Sequence, residues 1–290
     1  MKHAHLIARL TLLAFALAAP AAELPDLRTV EPDLTVPALT SDAPAAGRRV
    51  RMTLEAYRGT EVYHALYLPT DWQAGKRFPV IIEYAGNGAY SNRYGDVSDG
   101  SVEGSRLGYG ASGGKGFIWV CAPYVSLDHT RNQTTWWGDV EATVGYCTGV
   151  VAEVCERYGG DPKAVFIAGF SRGSIGCNYI GLHNDAVAAL WRGFLCHSHY
   201  DGVRQWGYPE SDRASAAARL ARLKGRPQFI SQEGSVAATQ PYLTNACPAG
   251  HYTFVPLPYR NHTDAWTLRD IPARAALRAW LAETLKEIKP

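Results

Sequence analysis

AVFIAGFSRGSIGCNYIG, residues 164–181, reads as a buried strand, a sharp turn and a helix in succession. Ala164–Ala168 is a short apolar run of strand length, and a helix follows to about Leu182. Between them stands Gly169-Phe170-Ser171-Arg172-Gly173, a G-x-S-x-G pattern. A direct strand-to-helix turn forces its central residue into a strained backbone that only small flanking residues tolerate, and Gly169 and Gly173 supply the room. The Ser171 hydroxyl then projects from the carboxyl edge of a sheet, with a helix N-terminus beneath it.

A serine hydroxyl is a poor nucleophile at neutral pH and needs an adjacent base. In a strand–turn–helix context of this kind the base comes late, after the last strand. Here the loop PYRNHTDAW follows the strand Tyr252–Leu257 and contains His262. His251 precedes that strand and would point to the wrong end of the sheet. The carboxylate that would orient the imidazole has three placements. Glu233 lies in the loop after the strand at 229–231 and is the first choice. Asp201 lies one strand earlier, in Cys196-His197-Ser198-His199-Tyr200-Asp201-Gly202. Asp264 is two residues from His262 and has to fold back on it. For an oxyanion, the Arg172 N–H follows the nucleophile, and a second donor is expected at Gly86, Asn87 or Gly88, just after the strand Phe78–Tyr84.

Working outward, strands and helices alternate. Val50–Tyr57 and Glu61–Leu68 read as an antiparallel hairpin turning at Arg58-Gly59-Thr60, and Phe78–Tyr84 and Phe117–Ala122 as strands flanking a Gly/Ser/Tyr-rich loop. Asp139–Tyr158 has helical spacing of Val140, Val144, Cys147, Val151 and Val154, and Gly159-Gly160 stops it. Strands at 193–196, 229–231 and 252–257 and helices at 211–223 and 271–288 complete the series. Such alternation implies an α/β class with a mostly parallel sheet covered by helices on both faces. No internal repeat or linker divides residues 49–290, which read as one domain.

On the Gly169–Gly173 motif, the turn at Gly86–Gly88, the late His262 and the order Ser, acid, His, the chain resembles the α/β-hydrolase superfamily over nearly all of residues 50–290. The resemblance implies an eight-stranded, mostly parallel sheet, an antiparallel N-terminal hairpin and no cofactor. It departs where the superfamily places an acid in a Gly-x-x-Asp loop: Ser235 and its neighbours stand there.

The 290 residues carry 29 Lys plus Arg against 27 Asp plus Glu, a formal charge of +2, with 47% apolar and 19% charged residues. That balance suits a buried core and excludes disorder, and it gives no basic excess for nucleic acid and no polybasic block for a membrane surface. Residues 1–21 read as a signal peptide: Lys2 and Arg9 precede an apolar run from Leu10 to Ala19 that is too short to span a bilayer, and Ala19-Pro20-Ala21 offers a cleavage pattern. The expected location is secreted or periplasmic, with no membrane association after processing. Residues 22–48 read as an extended lead-in.

Export permits disulfides among the six cysteines, but Cys147 and Cys155 on one helix stand roughly 12 Å apart by helix rise, too far to pair with each other. His197-x-His199-x-Asp201 has the look of a metal cluster without a third-ligand partner motif, so no metal is expected. Trp136 and Trp137 offer either a substrate wall or core packing ahead of an Asp139 helix cap, and the Arg172 side chain offers either a carboxylate contact or an ion pair with a nearby Asp. Arg213–Arg226 reads as a helix with a solvated basic face. Together these features point to an exported serine esterase acting on a small-molecule or carbohydrate-linked ester. A serine peptidase on the same scaffold and a non-catalytic binding module are the alternatives. Oligomeric state is open.

Overall fold

The side chains of Phe78–Tyr84 (β4) alternate between two apolar clusters, and that alternation organises the molecule. Val80, Ile82 and Tyr84 face one cluster with Val120, Val165 and Ile167, and Ile81 faces the other with Trp119, Phe166 and Ala168. Successive strand residues point to opposite faces, so a strand apolar on both needs a layer on each side. The computed structural model, which describes residues 23–286, supplies both. The signal-peptide reading of residues 1–21 lies outside the described residues, as does the end of the last helix.

In chain order the remaining strands are β1 (Leu39–Thr40), β2 (Arg49–Met52), β3 (His64–Tyr67), β5 (Tyr90–Ser91), β6 (Val97–Ser98), β7 (Ile118–Ala122), β8 (Gly160–Phe170), β9 (Gly193–His197), β10 (Gln228–Glu233) and β11 (Tyr252–Leu257). The α-helices are α1 (Leu107–Ser112), α2 (Val140–Arg157), α3 (Arg172–Tyr179), α4 (Asp185–Ala188), α5 (Arg213–Leu220), α6 (Thr239–Ala246) and α7 (Pro272–Lys286). One sheet has nine strands in the order β1-β2-β3-β7-β4-β8-β9-β10-β11, and β5 and β6 form a separate two-stranded pair. From β7 to β11 every neighbour is parallel, whereas β3 is antiparallel to both β2 and β7. Helix α2 packs Val144, Cys147, Val151 and Val154 on one face, while α1 and α7 cover the other with Leu107, Leu277 and Leu281.

The expected count of eight strands is corrected to nine, because Leu39–Thr40 of the lead-in adds parallel to β2. The expected hairpin pairs as foreseen, Arg49 with Tyr67 and Met52 with His64, but Arg58–Thr60 is not its tight turn. Glu55–Tyr57 is a 3-10 turn, and the Glu61 N–H bonds the Thr130 carbonyl instead. The basic face of α5 is not wholly solvated either: Arg219 turns inward to Asp201, with Nε–Oδ2 at 2.9 Å.

The lead-in straps the carboxyl edge of the sheet. The Leu27 N–H donates to Asn261 Oδ1 at 2.7 Å, the Arg260 N–H to the Pro25 carbonyl at 3.1 Å, and Arg274 pairs with Asp33 at 2.5 and 2.7 Å. All six cysteines are free thiols. Among the described residues no helix is long and apolar enough to cross a membrane.

Candidate active site

The parallel strands deliver their ends to one edge, where crevices between connecting loops form binding sites. There β8 runs straight into α3 with Ser171 as the only residue between them, at φ +54° and ψ −115°. A bulky neighbour would abolish the turn: a Cβ on Gly169 would lie 2.1 Å from the Gly173 carbonyl carbon, and one on Gly173 would lie 1.9 Å from the Tyr84 oxygen. The Ser171 N–H is held by the His197 carbonyl at 2.9 Å. The rare φ is therefore enforced by neighbouring backbone.

His262 comes from the loop after β11, and its Nε2 stands 3.0 Å from Ser171 Oγ. Its Nδ1 stands 2.6 Å from Glu233 Oε1, at the end of β10. A carboxylate only accepts, so Nδ1 carries the proton and Nε2 is left as the acceptor facing the hydroxyl. Burial alone would raise the Glu233 pKa, but the hydrogen bond and charge of His262 outweigh it and hold the carboxyl down at about 2. The sequence left Glu233, Asp201 and Asp264 open, and the structure brings only Glu233 to the imidazole. Asp201 is buried in an ion pair with Arg219 and is contacted by the Tyr208 hydroxyl at 3.4 Å. Asp264 turns away to accept from the Arg106 N–H at 2.9 Å, because the 3-10 turn Asp264–Leu268 starts at that point.

Three residues that sequence reasoning missed complete the arrangement. Ser198, at φ +84°, puts its Oγ 2.8 and 2.7 Å from the two Glu233 oxygens and 2.7 Å from His262 Nδ1. Asp96 accepts from the His262 N–H and the Asn261 side-chain amide, both at 2.9 Å, and so fixes the loop. The Trp206 ring helps wall the cavity over Ser171. No spacing rule links Ser198 or Asp96 to the nucleophile; strand pairing and loop packing bring them there. His197, in the His-x-His-x-Asp stretch for which no metal is expected, has a structural role. It bridges Ser231 Oγ at 3.0 Å and the Thr263 carbonyl at 3.0 Å. Burial pushes its pKa down to about 4, which keeps it a neutral brace. His199 and Asp201 face other partners.

On the oxyanion side, the Arg172 N–H heads α3 with no backbone acceptor among the described residues. Asn87 lines the same cavity as Ser171, and Gly86 lines an adjoining one. Gly88 is removed from the donor set, since its N–H is spent on the Thr134 carbonyl at 2.7 Å. The Arg172 side chain neither pairs with an Asp nor reaches out for a ligand: it binds the carbonyls of Trp136 and Gly100 at 2.5 and 3.3 Å and lies over Tyr124. Of the paired tryptophans, Trp136 lines the cavity, whereas Trp137 is core, stacked on Tyr179 with ring centroids 4.8 Å apart. The cavity holds about 500 Å³.

No family profile matches the sequence, and no curated protein matches it either. Solved structures do. A thermostable esterase superposes at TM-score 0.50 and 14% identity over 81% of this chain. The isopeptidase AtxE2, with Astexin3-dC4 bound, superposes at 0.53 and 16% over 84% of this chain. Thermogutta terrifontis esterase 2 superposes at 0.56 and 14% over 84% of this chain and 96% of its own. The chain spans 62% of the length of the first and 41% of the second. At such identities the likeness speaks for the fold, and it agrees with the strand order and the β8–Ser171–α3 turn: this chain has the α/β-hydrolase fold.

Proposed function

We propose that this protein is an exported serine hydrolase that cleaves carboxylic esters of small molecules or carbohydrates through an acyl-enzyme. The observation that carries the reading is the continuous relay from Ser171 Oγ to His262 Nε2 at 3.0 Å and from His262 Nδ1 to Glu233 at 2.6 Å. Ser171 Oγ attacks the ester carbonyl carbon as its proton passes to His262 Nε2. Glu233 steadies the resulting imidazolium. The Arg172 N–H, with that of Asn87 or Gly86, receives the negative charge forming on the carbonyl oxygen. Collapse expels the alcohol, which takes the proton from Nε2. Water, deprotonated by the same nitrogen, then attacks the acyl carbon, and the acid leaves as Ser171 regains its proton. Balanced overall, one ester and one water give one acid and one alcohol.

The test is Ser171→Ala with 4-nitrophenyl acetate. Turnover should fall at least about a thousandfold while circular dichroism stays unchanged, and a fluorophosphonate probe should label the wild type but not the variant. Residual activity within tenfold of wild type would reject Ser171 as nucleophile. Likeness to the isopeptidase over 84% of the chain supports a second reading, amide cleavage on the same machinery. Parallel assays on an ester and an amide of one acyl group separate the two.

A further inference from the structure

The cavity over Ser171 is lined by few charged groups: Glu233, Arg172, Arg204 and Arg260. Three are already committed. Glu233 serves His262 and Ser198. Arg172 is buried against carbonyl oxygens. Arg260 is neutralised by Glu23 at 3.3 Å and Asp26 at 3.1 Å. Arg204 remains. It is exposed, its guanidinium lies 4.4 Å over the Trp206 ring, and among the described residues it has no ion-pair partner. Stacking on an indole orients a guanidinium and leaves its edge donors free.

Beside it stands His199. Its ring lies 5.2 Å from Trp206 and 5.1 Å from His262, and neither ring nitrogen has a hydrogen-bond partner among the described residues. The Ser174 hydroxyl holds the His199 carbonyl, which fixes where the ring hangs. Burial, followed by the charges of His262 and Arg204 among others, pushes this imidazole down to about 4, so at neutral pH it presents one N–H without charge. The wall formed by His199, Arg204 and Trp206 thus offers a cation, a neutral donor and an aromatic face, and the one carboxylate of residues 199–206, Asp201, is turned away to Arg219.

We propose, building on the ester-hydrolase reading, that the cavity selects esters bearing a second, free carboxylate, which meets Arg204 while the adjoining part of the substrate lies against Trp206 and Trp136. His199 is the neutral donor alongside. One unpaired cation matches a monoanion; a phosphate dianion would leave a charge unanswered in a half-enclosed cavity.

Two pairs of esters test this with the whole protein. One is the 4-nitrophenyl monoester of adipic acid against 4-nitrophenyl hexanoate, with the charge on the acyl side. The other is 4-acetoxybenzoate against 4-acetoxybenzamide, with the charge on the leaving group. In at least one pair, kcat/KM should favour the anionic member by about tenfold in low salt, and the ratio should shrink as salt screens the contact. Arg204→Gln should bring that ratio to about one, and Arg204→Glu should invert it. Neutral members hydrolysed as well or better in both pairs by an active wild type overturns the inference and leaves the hydrolase reading standing. So does a preference that survives Arg204→Glu. Turnover of none of the four esters, with no fluorophosphonate labelling, overturns the hydrolase reading itself and the inference with it.

Discussion

Ser198 uses its single proton on Glu233 while its oxygen also touches the imidazole, at 2.7 Å from each. A hydroxyl that satisfies a buried carboxylate fixes the rotamer from which that carboxylate aims at the histidine. Ser198→Ala should therefore lower kcat by about tenfold with KM little changed, and Glu233→Gln should lower it by a further one to three orders of magnitude. Steady-state kinetics on the two variants orders the effects. Asp201→Asn should behave in the opposite way. It leaves the buried Arg219 with only the Glu210 carboxylate at 3.5 Å and the Glu210 carbonyl at 2.8 Å, and should cost about 1.5–3 kcal/mol of stability, while the folded protein keeps its kcat. Urea titration beside an activity assay reads both quantities. At this scale the juxtaposition of Ser171 and His262 was legible because a strand–turn–helix motif fixes where each must fall along the chain. The acid was legible only as a choice, since a carboxylate is recognised by where it points. Ser198 and Asp96 carried no signal: Ser198 reaches Glu233 because β9 and β10 pair with His197 opposite Ser231.

Among elements, the strands with unbroken apolar runs were readable, and the errors gather where glycine or alanine thins the pattern. Helix α1, with sequence LGYGAS, lies in what reads as loop. It forms because the buried Glu83 carboxylate accepts the N–H groups of Arg106, Leu107 and Gly108. Helix α6 was hidden for want of a capping residue, its N-cap being Ala238 without a side-chain hydrogen bond. The lead-in was read as extended, which does not disclose that it grips the His262 loop through Asn261 and Arg260. Deleting the chain through Leu34 should lower kcat at least tenfold by loosening the imidazole, since displacements on the order of 1 Å cost about a hundredfold. Circular dichroism should still report the central sheet. An unaltered kcat would mean that Asp96 alone suffices to hold the loop.

For the molecule as a whole, three buried histidines oppose folding as pH falls, against buried carboxyls such as Glu83 that act the other way. His64 is held down to about 3 by burial, and His197 and His199 to about 4. The unfolded chain takes up these protons near the ordinary value of about 6.5, so it binds more protons than the native state between that value and about 4. The histidines' contribution to stability is thus full above about pH 6.5 and is lost as pH falls toward 4, while Glu83, raised by burial to about 7, contributes in the opposite direction between about 4.5 and 7. Glu233, held at about 2, adds a second loss below its ordinary 4.5. Urea midpoints should fall between pH 7.5 and pH 4.5, and His64→Gln should flatten part of that slope. A slope unchanged in His64→Gln would contradict the burial of that ring.

The bond between Leu27 and Asn261 joins positions 234 apart in sequence. During synthesis, then, β8, Ser171 and α3 emerge well before His262, and the clasp at Leu27 has nothing to close on until Asn261 has been made. A chain stopped short of that position carries the Ser171 hydroxyl without the imidazole that faces it in the finished fold.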